Sequence, residues 1–274
     1  MQKKGILWLL ALIITLAAAI YQRSTGPTYP KNMTFTIEGT QYEASFPRSS
    51  SGSDSCRIAL DIPKSVDARL YYKRYPTKDS WSTKPFVRQD NQQVAALPPQ
   101  PPAGKLQYFI ELQSNDKTTY LARSEPIIIR FKGEVSTGVL IPHVILMFAG
   151  MLFSTAAGLF ALAKKESYRL YGWITLGLLV VGGFIFGPIM QYQAFGDAWT
   201  GIPFGWDLTD NKTLVAILGW VTAVVSNRKK YRPRDYVIAA ILLLVVYSIP
   251  HSMMGSEYDY TQGKVTTGLI RYIF

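Results

Sequence analysis

Residues 138–163 decide the fold, and they read GVLIPHVILMFAGMLFSTAAGLFALA. The stretch contains no charged side chain, and Lys164 and Lys165 follow it at once. An apolar run of this length can cross a bilayer as a tilted helix. Basic residues concentrate in short loops on the cytoplasmic side of a membrane. The stretch therefore predicts a membrane-spanning helix that runs from outside to inside.

Other apolar runs show the same association with basic residues. These runs are residues 5–21, 170–190, 214–225 and 236–249. The basic clusters at their ends are Lys3 and Lys4; Lys164, Lys165 and Arg169; and Arg228, Lys229, Lys230, Arg232 and Arg234. A helix that contains 214–225 is expected to begin near Asp210 or Asn211, since either side chain can cap it. Alternating orientations place the N-terminus inside and the C-terminus outside.

The first apolar run allows two interpretations. It is short for a span, and Ala17, Ala18 and Ala19 fit a small-residue cleavage site. Residues 1–22 are thus expected to be an N-terminal anchor or a signal peptide, and the bulky run around Trp8 favours the anchor. In both cases residue 22 emerges outside the membrane.

The formal net charge of +11 would suit a nucleic-acid-binding protein. Many of the 29 Lys and Arg residues, however, lie at the ends of apolar runs, where membrane topology explains them. We therefore expect the lipid bilayer and a membrane or periplasmic protein as partners, and no nucleic acid. The single cysteine, Cys56, cannot form an internal disulfide and is expected to be a buried, inert thiol.

Residues 31–133 are polar and contain short runs of alternating apolar and polar residues separated by turn residues. The candidate strands are Met33–Glu38, Tyr42–Phe46, Arg57–Asp61, Ala68–Arg74, Phe86–Gln89, Gln92–Ala96, Lys105–Gln113, Thr118–Ala122 and Ile127–Phe131, with a hairpin turn at Asn115 and Asp116. Short strands at this spacing predict an antiparallel β-sandwich of two sheets.

The segment LPPQPPAGKLQYF, residues 97–109, resembles the stretch before a late strand in fibronectin type III and immunoglobulin-like domains. The resemblance covers only residues 31–133. It implies a β-sandwich in which Tyr108 locks a corner, and it implies no particular activity. The same region lacks histidine, the most versatile general base.

The only two histidines, His143 and His251, are both expected near the outer membrane surface. Met147 follows His143 on the same helix face, and Met253 and Met254 follow His251. Imidazole and thioether groups bind haem b and copper, and Gly150 would leave room for a macrocycle. The alternative is that both histidines simply face interfacial water or a helix end.

A second candidate site is the loop between residues 191 and 213. It contains Asp197, Asp207 and Asp210 together with Trp199 and Trp206. Such a loop could cover the outer mouth of the helices, bind a cation or receive the β-domain. It could equally be an amphipathic loop at the membrane interface.

Together these patterns predict a multi-domain membrane protein of a bacterial cytoplasmic membrane. Its expected parts are the N-terminal anchor or signal peptide (1–22), an extracytoplasmic antiparallel β-sandwich (31–133), a four-helix transmembrane bundle (137–254) and an extracytoplasmic tail (255–274). The absence of a catalytic motif favours a non-enzymatic binding or accessory subunit. The main alternative is a redox protein with haem b or copper between His143 and His251, and a transporter ranks third.

One surface of the β-domain is a candidate recognition site. Aromatic and basic residues interleave at Tyr71, Tyr72, Lys73, Arg74, Tyr75 and Trp81. This composition suits a glycan, a peptide or lipid headgroups. In the alternative interpretation, half of these side chains belong to the core and half are merely solvated.

Overall fold

The computed structural model describes residues 2–115, 117–251 and 255–266. The chain divides into two compact units. The helical unit contains Met1–Pro27 and Val135–Ser256, and the β unit contains Thr28–Glu134 and Glu257–Thr266. The β unit is therefore built from two chain segments that are separated in sequence by most of the helical unit.

The residues that the structure describes in the helical unit form seven consecutive helical elements. They are α1 (Gln2–Thr25), α2 (Thr137–Leu162), α3 (Tyr168–Leu179), a π-helix (Val180–Phe186), α4 (Gly187–Phe195), α5 (Leu208–Ser226) and α6 (Pro233–Ser248). Within the described part of the chain, four stretches are long and apolar enough to cross a membrane, namely Lys4–Thr25, Thr137–Leu162, Tyr168–Phe195 and Leu208–Ser226. The prediction of long apolar helices is confirmed, while α6, with 16 residues, is the shortest of the predicted spans.

Small residues allow the helices of this unit to approach closely. A β-carbon on Gly158 of α2 would lie 2.7 Å from the β-carbon of Ala240 in α6. Close backbone approach at glycine and alanine is the usual way in which apolar helices pack inside a membrane. Trp220 of α5 is fully buried in the resulting core.

Helix α1 packs on the other helices through Trp8. The ring centroid of Trp8 lies 5.3 Å from that of Phe153 in α2 and 5.1 Å from that of Tyr171 in α3. The helix extends beyond the apolar run that predicted it, because the polar residues at both ends continue the same backbone hydrogen bonding. These contacts give residues 1–22 a structural role in the helical unit.

The N-terminus of α5 differs from the prediction. The helix begins at Leu208, and the capping residue is Asp207, whose Oδ1 accepts a hydrogen bond from the Thr209 N–H at 2.8 Å. Asp210 and Asn211, the predicted caps, lie in the first turn. Both bind the preceding loop instead, so the helix starts earlier than the apolar pattern alone indicates.

In the β unit, the described residues form eleven strands before α2 and two after α6. They are β1 (Lys31–Ile37), β2 (Thr40–Phe46), β3 (Ser49–Ser51), β4 (Cys56–Leu60), β5 (Val66–Arg74), β6 (Ser82–Pro85), β7 (Val87–Gln89), β8 (Gln92–Leu97), β9 (Lys105–Ser114), β10 (Lys117–Leu121), β11 (Ile127–Lys132), β12 (Glu257–Asp259) and β13 (Lys264–Thr266). The nine predicted strands all occur, with ends shifted by one or two residues. Asp116, predicted in the β9–β10 turn, lies outside the described residues, and Asn115 there has a φ of 48°.

The strands form two larger sheets and two hairpins. The six-stranded sheet has the order β3-β11-β9-β5-β6, with β10 also paired to β9, and the three-stranded sheet has the order β4-β8-β7. Side chains from both sheets and from the β1-β2 hairpin meet in one core, which includes Phe46, Ile58 and Leu70. The expected antiparallel arrangement holds except where β3 pairs parallel with β11. Strand β3 consists of three serines, so no apolar pattern marked it in the sequence.

Tyr108, the residue implied by the resemblance to lock a corner, is fully buried. Its hydroxyl donates to the carbonyl oxygen of Pro47 at 2.8 Å, which joins β9 to the turn after β2. In immunoglobulin-like domains the corner tyrosine bonds to backbone only a few residues upstream. Here the partner is 61 residues away in sequence, and the resemblance stays a prediction.

The chain after α6 returns to the β unit as the hairpin β12-β13. The Tyr258 N–H donates to the Ala103 carbonyl oxygen at 3.1 Å, and the Tyr260 hydroxyl lies 2.9 Å from Gln100 Oε1. Lys105 and Glu257 form a short ion pair. Residues 255–274 were expected to form an extracytoplasmic tail, so this hairpin was not predicted. Residues 267–274 lie outside the described ranges.

Cys56 provides a test of the folded β unit. The thiol is buried in the core, and burial raises its pKa above the ordinary value, so little thiolate forms near neutral pH. We expect maleimide to react with Cys56 in the native protein roughly tenfold or more slowly than with an exposed thiol. Reaction should become complete in denaturant. Equal rates in the folded and unfolded states would contradict the buried position.

Candidate functional site

The two histidines line one cavity of the helical unit. His143 of α2 and His251, which follows α6, border a space of about 90 Å³ together with Met147 and Gln22 of α1. Three of the candidate ligands, His143, His251 and Met147, thus line the same cavity. Met253 and Met254, the other predicted ligands, lie outside the described residues.

His143 is held in place by the π-helix. Its Nδ1 lies 2.9 Å from the carbonyl oxygen of Gly182, which also accepts the Gly187 N–H five residues further along the chain. The lack of a side chain at Gly182 allows this approach, since a β-carbon there would lie 2.9 Å from the Leu146 β-carbon. A carbonyl oxygen accepts only, so Nδ1 carries the proton and the neutral ring keeps its lone pair on Nε2.

His251 is fixed from the opposite direction by Gln22. The Gln22 Nε2 donates to the carbonyl oxygen of Tyr247 at 2.7 Å and lies 3.2 Å from His251 Nδ1. Because the first contact requires the amide nitrogen at this position, His251 Nδ1 is the acceptor. The neutral His251 ring then carries its proton on Nε2. The two imidazoles therefore offer opposite hydrogen-bonding groups, an acceptor on His143 and a donor on His251.

The cavity does not fit the predicted haem. A space of about 90 Å³ is smaller than the roughly 150 Å³ that accommodates one benzene ring, and a porphyrin is several times larger. Gly150, expected to leave room for a macrocycle, is packed by Leu179, whose Cδ2 lies 3.3 Å from the position of a β-carbon.

Copper fits His143 but does not fit His251. A metal-binding histidine normally donates its other ring N–H to an acceptor, as His143 does. His251 accepts at Nδ1, so its Nε2 is protonated and cannot bind a metal without breaking the contact with Gln22. Among the described residues, no group of three His, Cys, Asp or Glu side chains could hold a metal ion.

The acidic loop before α5 uses its carboxylates to fix its own conformation. Asp210 Oδ2 accepts from the Thr200 N–H at 2.6 Å, from the Thr200 hydroxyl at 3.2 Å and from Gln191 Nε2 at 3.0 Å. Asp210 and Thr200 are both buried. Gly201 lies so close that a β-carbon there would be 2.7 Å from the Asp210 β-carbon. Asp210 is thus a structural acceptor rather than an open ligand.

Asp207 fixes the other end of the same loop. Its Oδ2 accepts from the Ser256 N–H at 3.0 Å and from the Ser256 hydroxyl at 3.1 Å, while its Oδ1 caps α5. The neighbouring cation, Lys212, is buried and donates to the Ile249 carbonyl oxygen at 2.6 Å. The segment that follows α6 is therefore tied to the start of α5 by direct hydrogen bonds.

The remaining residues of the predicted loop site do not join this cluster. Asp197 is exposed, Trp206 is 55% exposed, and Trp199 Nε1 donates to the Ile202 carbonyl oxygen at 3.1 Å. The three aspartates thus do not converge on a cation site. The exposed aromatic side chains agree with the prediction of an amphipathic loop.

In the β unit, aromatic side chains cluster on the outward face of the six-stranded sheet, opposite to the core. We call this cluster the aromatic platform, and it consists of Tyr71, Trp81, Phe109 and Tyr120. Tyr71 and Phe109 are direct cross-strand neighbours whose rings stack at 4.7 Å with an angle of 5°. Trp81 and Tyr120 pack edge-on against Phe109 at 4.8 and 6.3 Å. Phe109 is consequently only 6% exposed although it points away from the core.

Two cations lie on the rings at the edges of the platform. Lys73 Nζ is 5.0 Å from the centre of the Trp81 ring, and the Arg123 guanidinium is 4.1 Å from the centre of the Tyr120 ring. Trp81 and Tyr120 remain 36% and 40% exposed. Large aromatic side chains with stacked cations are typical of recognition surfaces.

The sequence pattern indicated this surface only in part. Tyr71, Lys73 and Trp81 belong to the platform, whereas Tyr72 packs against the core and Arg74 forms an ion pair with Asp79 at 2.6 Å. Phe109 and Tyr120 were missed because they join the cluster through strand pairing, and Arg123 was missed because it reaches the cluster only by lying on the Tyr120 ring. The one available signal was the unbroken apolar run Tyr108-Phe109-Ile110, in which the middle residue must face outward.

No family model matches this chain, and no curated protein matches it either.

Proposed function

We propose that the chain is a non-enzymatic binding subunit of the bacterial cytoplasmic membrane, which presents its β unit outside the membrane to a protein partner. The aromatic platform carries this proposal. Exposed aromatic side chains with stacked cations lie on one open sheet face, and such groups supply most of the binding energy in protein interfaces. Binding of a partner through these side chains requires neither a cofactor nor a catalytic group.

The chemistry of the platform favours a partner segment with apolar and acidic side chains. Lys73 and Arg123 add positive charge at its edges, while the nearby carboxylate of Glu111 already accepts from the Tyr71 hydroxyl at 3.3 Å. An apolar side chain of the partner would pack on the rings, and its carboxylates would pair with the two cations.

The proposed orientation is supported by the basic loops and by the course of the chain. Lys164 and Lys165 follow α2, and Arg228, Lys229 and Lys230 follow α5, as expected for loops held inside. Because Thr28–Glu134 and Glu257–Thr266 form one unit, the chain must cross the membrane an even number of times between them. Three candidate spans lie in that interval, so α6 supplies the fourth crossing.

The decisive experiment is purification of the full chain from gently solubilised membranes, with and without changes to the platform. We expect one stoichiometric protein partner, lost in Trp81→Ala and Tyr120→Ala. The matched control is Val87→Ala, which removes a 59% exposed apolar side chain from the other sheet and should keep the partner. Slow maleimide labelling of Cys56 shows that each variant is folded. The absence of a stoichiometric partner, or its retention by both platform variants, would overturn the proposal.

A further inference from the structure

We infer that one end of the helical unit binds the phosphate head of an anionic phospholipid from the surrounding membrane. The site consists of Arg169 and Trp173 of α3 and of Arg228, which directly follows the end of α5, and we call it the basic-aromatic site. This inference goes beyond the proposed function and does not depend on the aromatic platform of the β unit.

The two arginines come from different loops but lie on the same part of α3. Arg169 and Trp173 are separated by one helical turn, so their side chains are neighbours on the helix surface. The Arg228 guanidinium lies 5.8 Å from the centre of the Trp173 ring. The Arg169 guanidinium lies 6.0 Å from the centre of the ring of Tyr231, which belongs to the same loop as Arg228. The two cations are therefore brought together by packing that their positions in the sequence do not reveal.

A buried asparagine fixes this arrangement. Asn227 is only 3% exposed, and its Oδ1 accepts from the Tyr168 hydroxyl at 3.2 Å and from the Arg232 N–H at 2.9 Å. Its Nδ2 donates to the Arg232 carbonyl oxygen at 2.9 Å. The start of α3 and the loop between α5 and α6 are thus joined by hydrogen bonds away from water, where such bonds hold their geometry.

The hydrogen-bond donors of both guanidinium groups are largely available to a ligand. Arg169 and Arg228 are exposed, and over the part of the chain that the structure describes neither forms an ion pair with a carboxylate. Their one side-chain hydrogen bond to the described residues runs from Arg169 Nε to the Tyr168 hydroxyl oxygen at 3.3 Å. A guanidinium has five N–H donors in a planar fork that matches the oxygens of a phosphate group.

The charge around the site favours an anion. Residues 164–169 contain three Lys or Arg residues and one acid, Glu166, and residues 228–235 contain five and one acid, Asp235. Asp235 already accepts a hydrogen bond from the Ser226 hydroxyl. Clusters of basic side chains at the membrane end of a helix attract anionic lipid headgroups.

The apolar surroundings favour a lipid over a free anion. Trp173 is 49% exposed and Leu170 is 60% exposed, and both belong to a stretch that is long and apolar enough to cross a membrane. Tryptophan at the end of such a stretch lies at the level of the lipid headgroups. A phosphate held by the two arginines would therefore have its acyl chains beside Leu170 and the Trp173 ring.

The test is retention of lipid by the detergent-purified full chain, measured by native mass spectrometry. The probes are phosphatidylglycerol and phosphatidylcholine with identical acyl chains, offered in equal amounts. We expect roughly tenfold more phosphatidylglycerol than phosphatidylcholine to stay bound, because the choline cation would lie beside two guanidinium groups. Equal retention of the two lipids would overturn the inference.

A matched pair of double variants distinguishes this site from uniform attraction by the basic loops. Arg169→Gln with Arg228→Gln removes the two stacked cations, and Lys229→Gln with Lys230→Gln removes two exposed cations of the neighbouring loop. We expect phosphatidylglycerol retention to fall roughly tenfold in the arginine pair and less than about twofold in the lysine pair. Equal losses would mean that only net charge matters and would reject the site.

Two further measurements complete the test. Sodium phosphate should leave the lipid bound as well as sodium chloride of the same ionic strength does, and displacement by phosphate alone would show a site for a free anion instead of a lipid. Arg169→Lys with Arg228→Lys keeps both charges but loses the planar forks, so it should also retain less phosphatidylglycerol than the unaltered chain. The comparison of the two lipids on the unaltered chain decides the matter if the variants do not fold.

Discussion

Cysteines placed at Asp54 and Gln262 are expected to react with a membrane-impermeant maleimide from outside the cytoplasmic membrane, whereas a cysteine at Lys229 is expected to remain unlabelled. All three positions are exposed, so a difference in their labelling reports on which side of the membrane each one lies. Asp54 and Gln262 belong to the β unit, and Lys229 lies in the basic loop between α5 and α6. The measurement is labelling of intact spheroplasts in a Cys56→Ser background.

Permeabilised membranes supply the control, because all three cysteines should then react. The comparison of Lys229 with Gln262 tests α6 directly. This helix has 16 residues, which is about 24 Å and just short of the usual hydrocarbon thickness. Labelling of both positions from the same side would mean that α6 does not cross, and labelling of Lys229 from outside would reverse the proposed orientation.

Replacement of Asp210 by alanine is expected to destabilise the helical unit by about 3 kcal/mol, which corresponds to roughly 6–12 °C in melting temperature. The carboxylate accepts three hydrogen bonds. Its loss leaves the buried Thr200 N–H without its acceptor, while Gln191 Nε2 keeps only its bond to the Thr200 hydroxyl. Unpaired buried donors are among the few causes of large losses in stability. Thermal unfolding of the detergent-solubilised protein provides the measurement.

Asp197 provides the matched control in the same loop. It is exposed, so Asp197→Ala should change stability by no more than about 0.5 kcal/mol. Asp210→Asn retains one side-chain oxygen and should fall between the two. If the Asp210 and Asp197 variants melt alike, the carboxylate of Asp210 does not hold the loop, and a role in binding would become the better explanation.

The helices could be predicted well because helices that are apolar enough to cross a membrane appear in a sequence as long uncharged runs. Every backbone polar group in a span must be satisfied inside the helix, so spans become long uncharged runs. Residues 138–163 show this clearly, and α2 ends within one residue of the predicted position. The start of α5 was missed by three or four residues because loop contacts, rather than hydropathy, determine which aspartate caps it.

The β strands were predictable one by one, but their arrangement was not. Alternation identified β5 and β9, the two central strands of the larger sheet. Strands β3 and β6 contain no apolar alternation, and they form only because a neighbouring strand edge supplies their hydrogen bonds. The return of the chain as β12-β13 depends on contacts with residues more than a hundred positions earlier, and no local pattern reveals such contacts.

The candidate sites also depend on long-range contacts that no local sequence pattern reveals. His143 and His251 line one cavity, yet their hydrogen bonds depend on a π-helix carbonyl and on a glutamine from α1. Asp207 and Asp210 were interpreted as candidate ligands because sequence does not show which donors surround a carboxylate. Trp81 was recognised as a surface aromatic residue, while Phe109 beneath it required knowledge of strand register.

The aromatic platform is proposed to contact a protein partner in the intact membrane, and site-specific photocrosslinking tests this contact most directly. A benzophenone side chain at Thr83 would lie beside Tyr71, its cross-strand neighbour, on the platform face. The same group at Val87 would lie on the other sheet. When living cells are irradiated, we expect one discrete crosslinked protein from Thr83 and none from Val87. The absence of a crosslink from Thr83, or identical crosslinks from both positions, would contradict it.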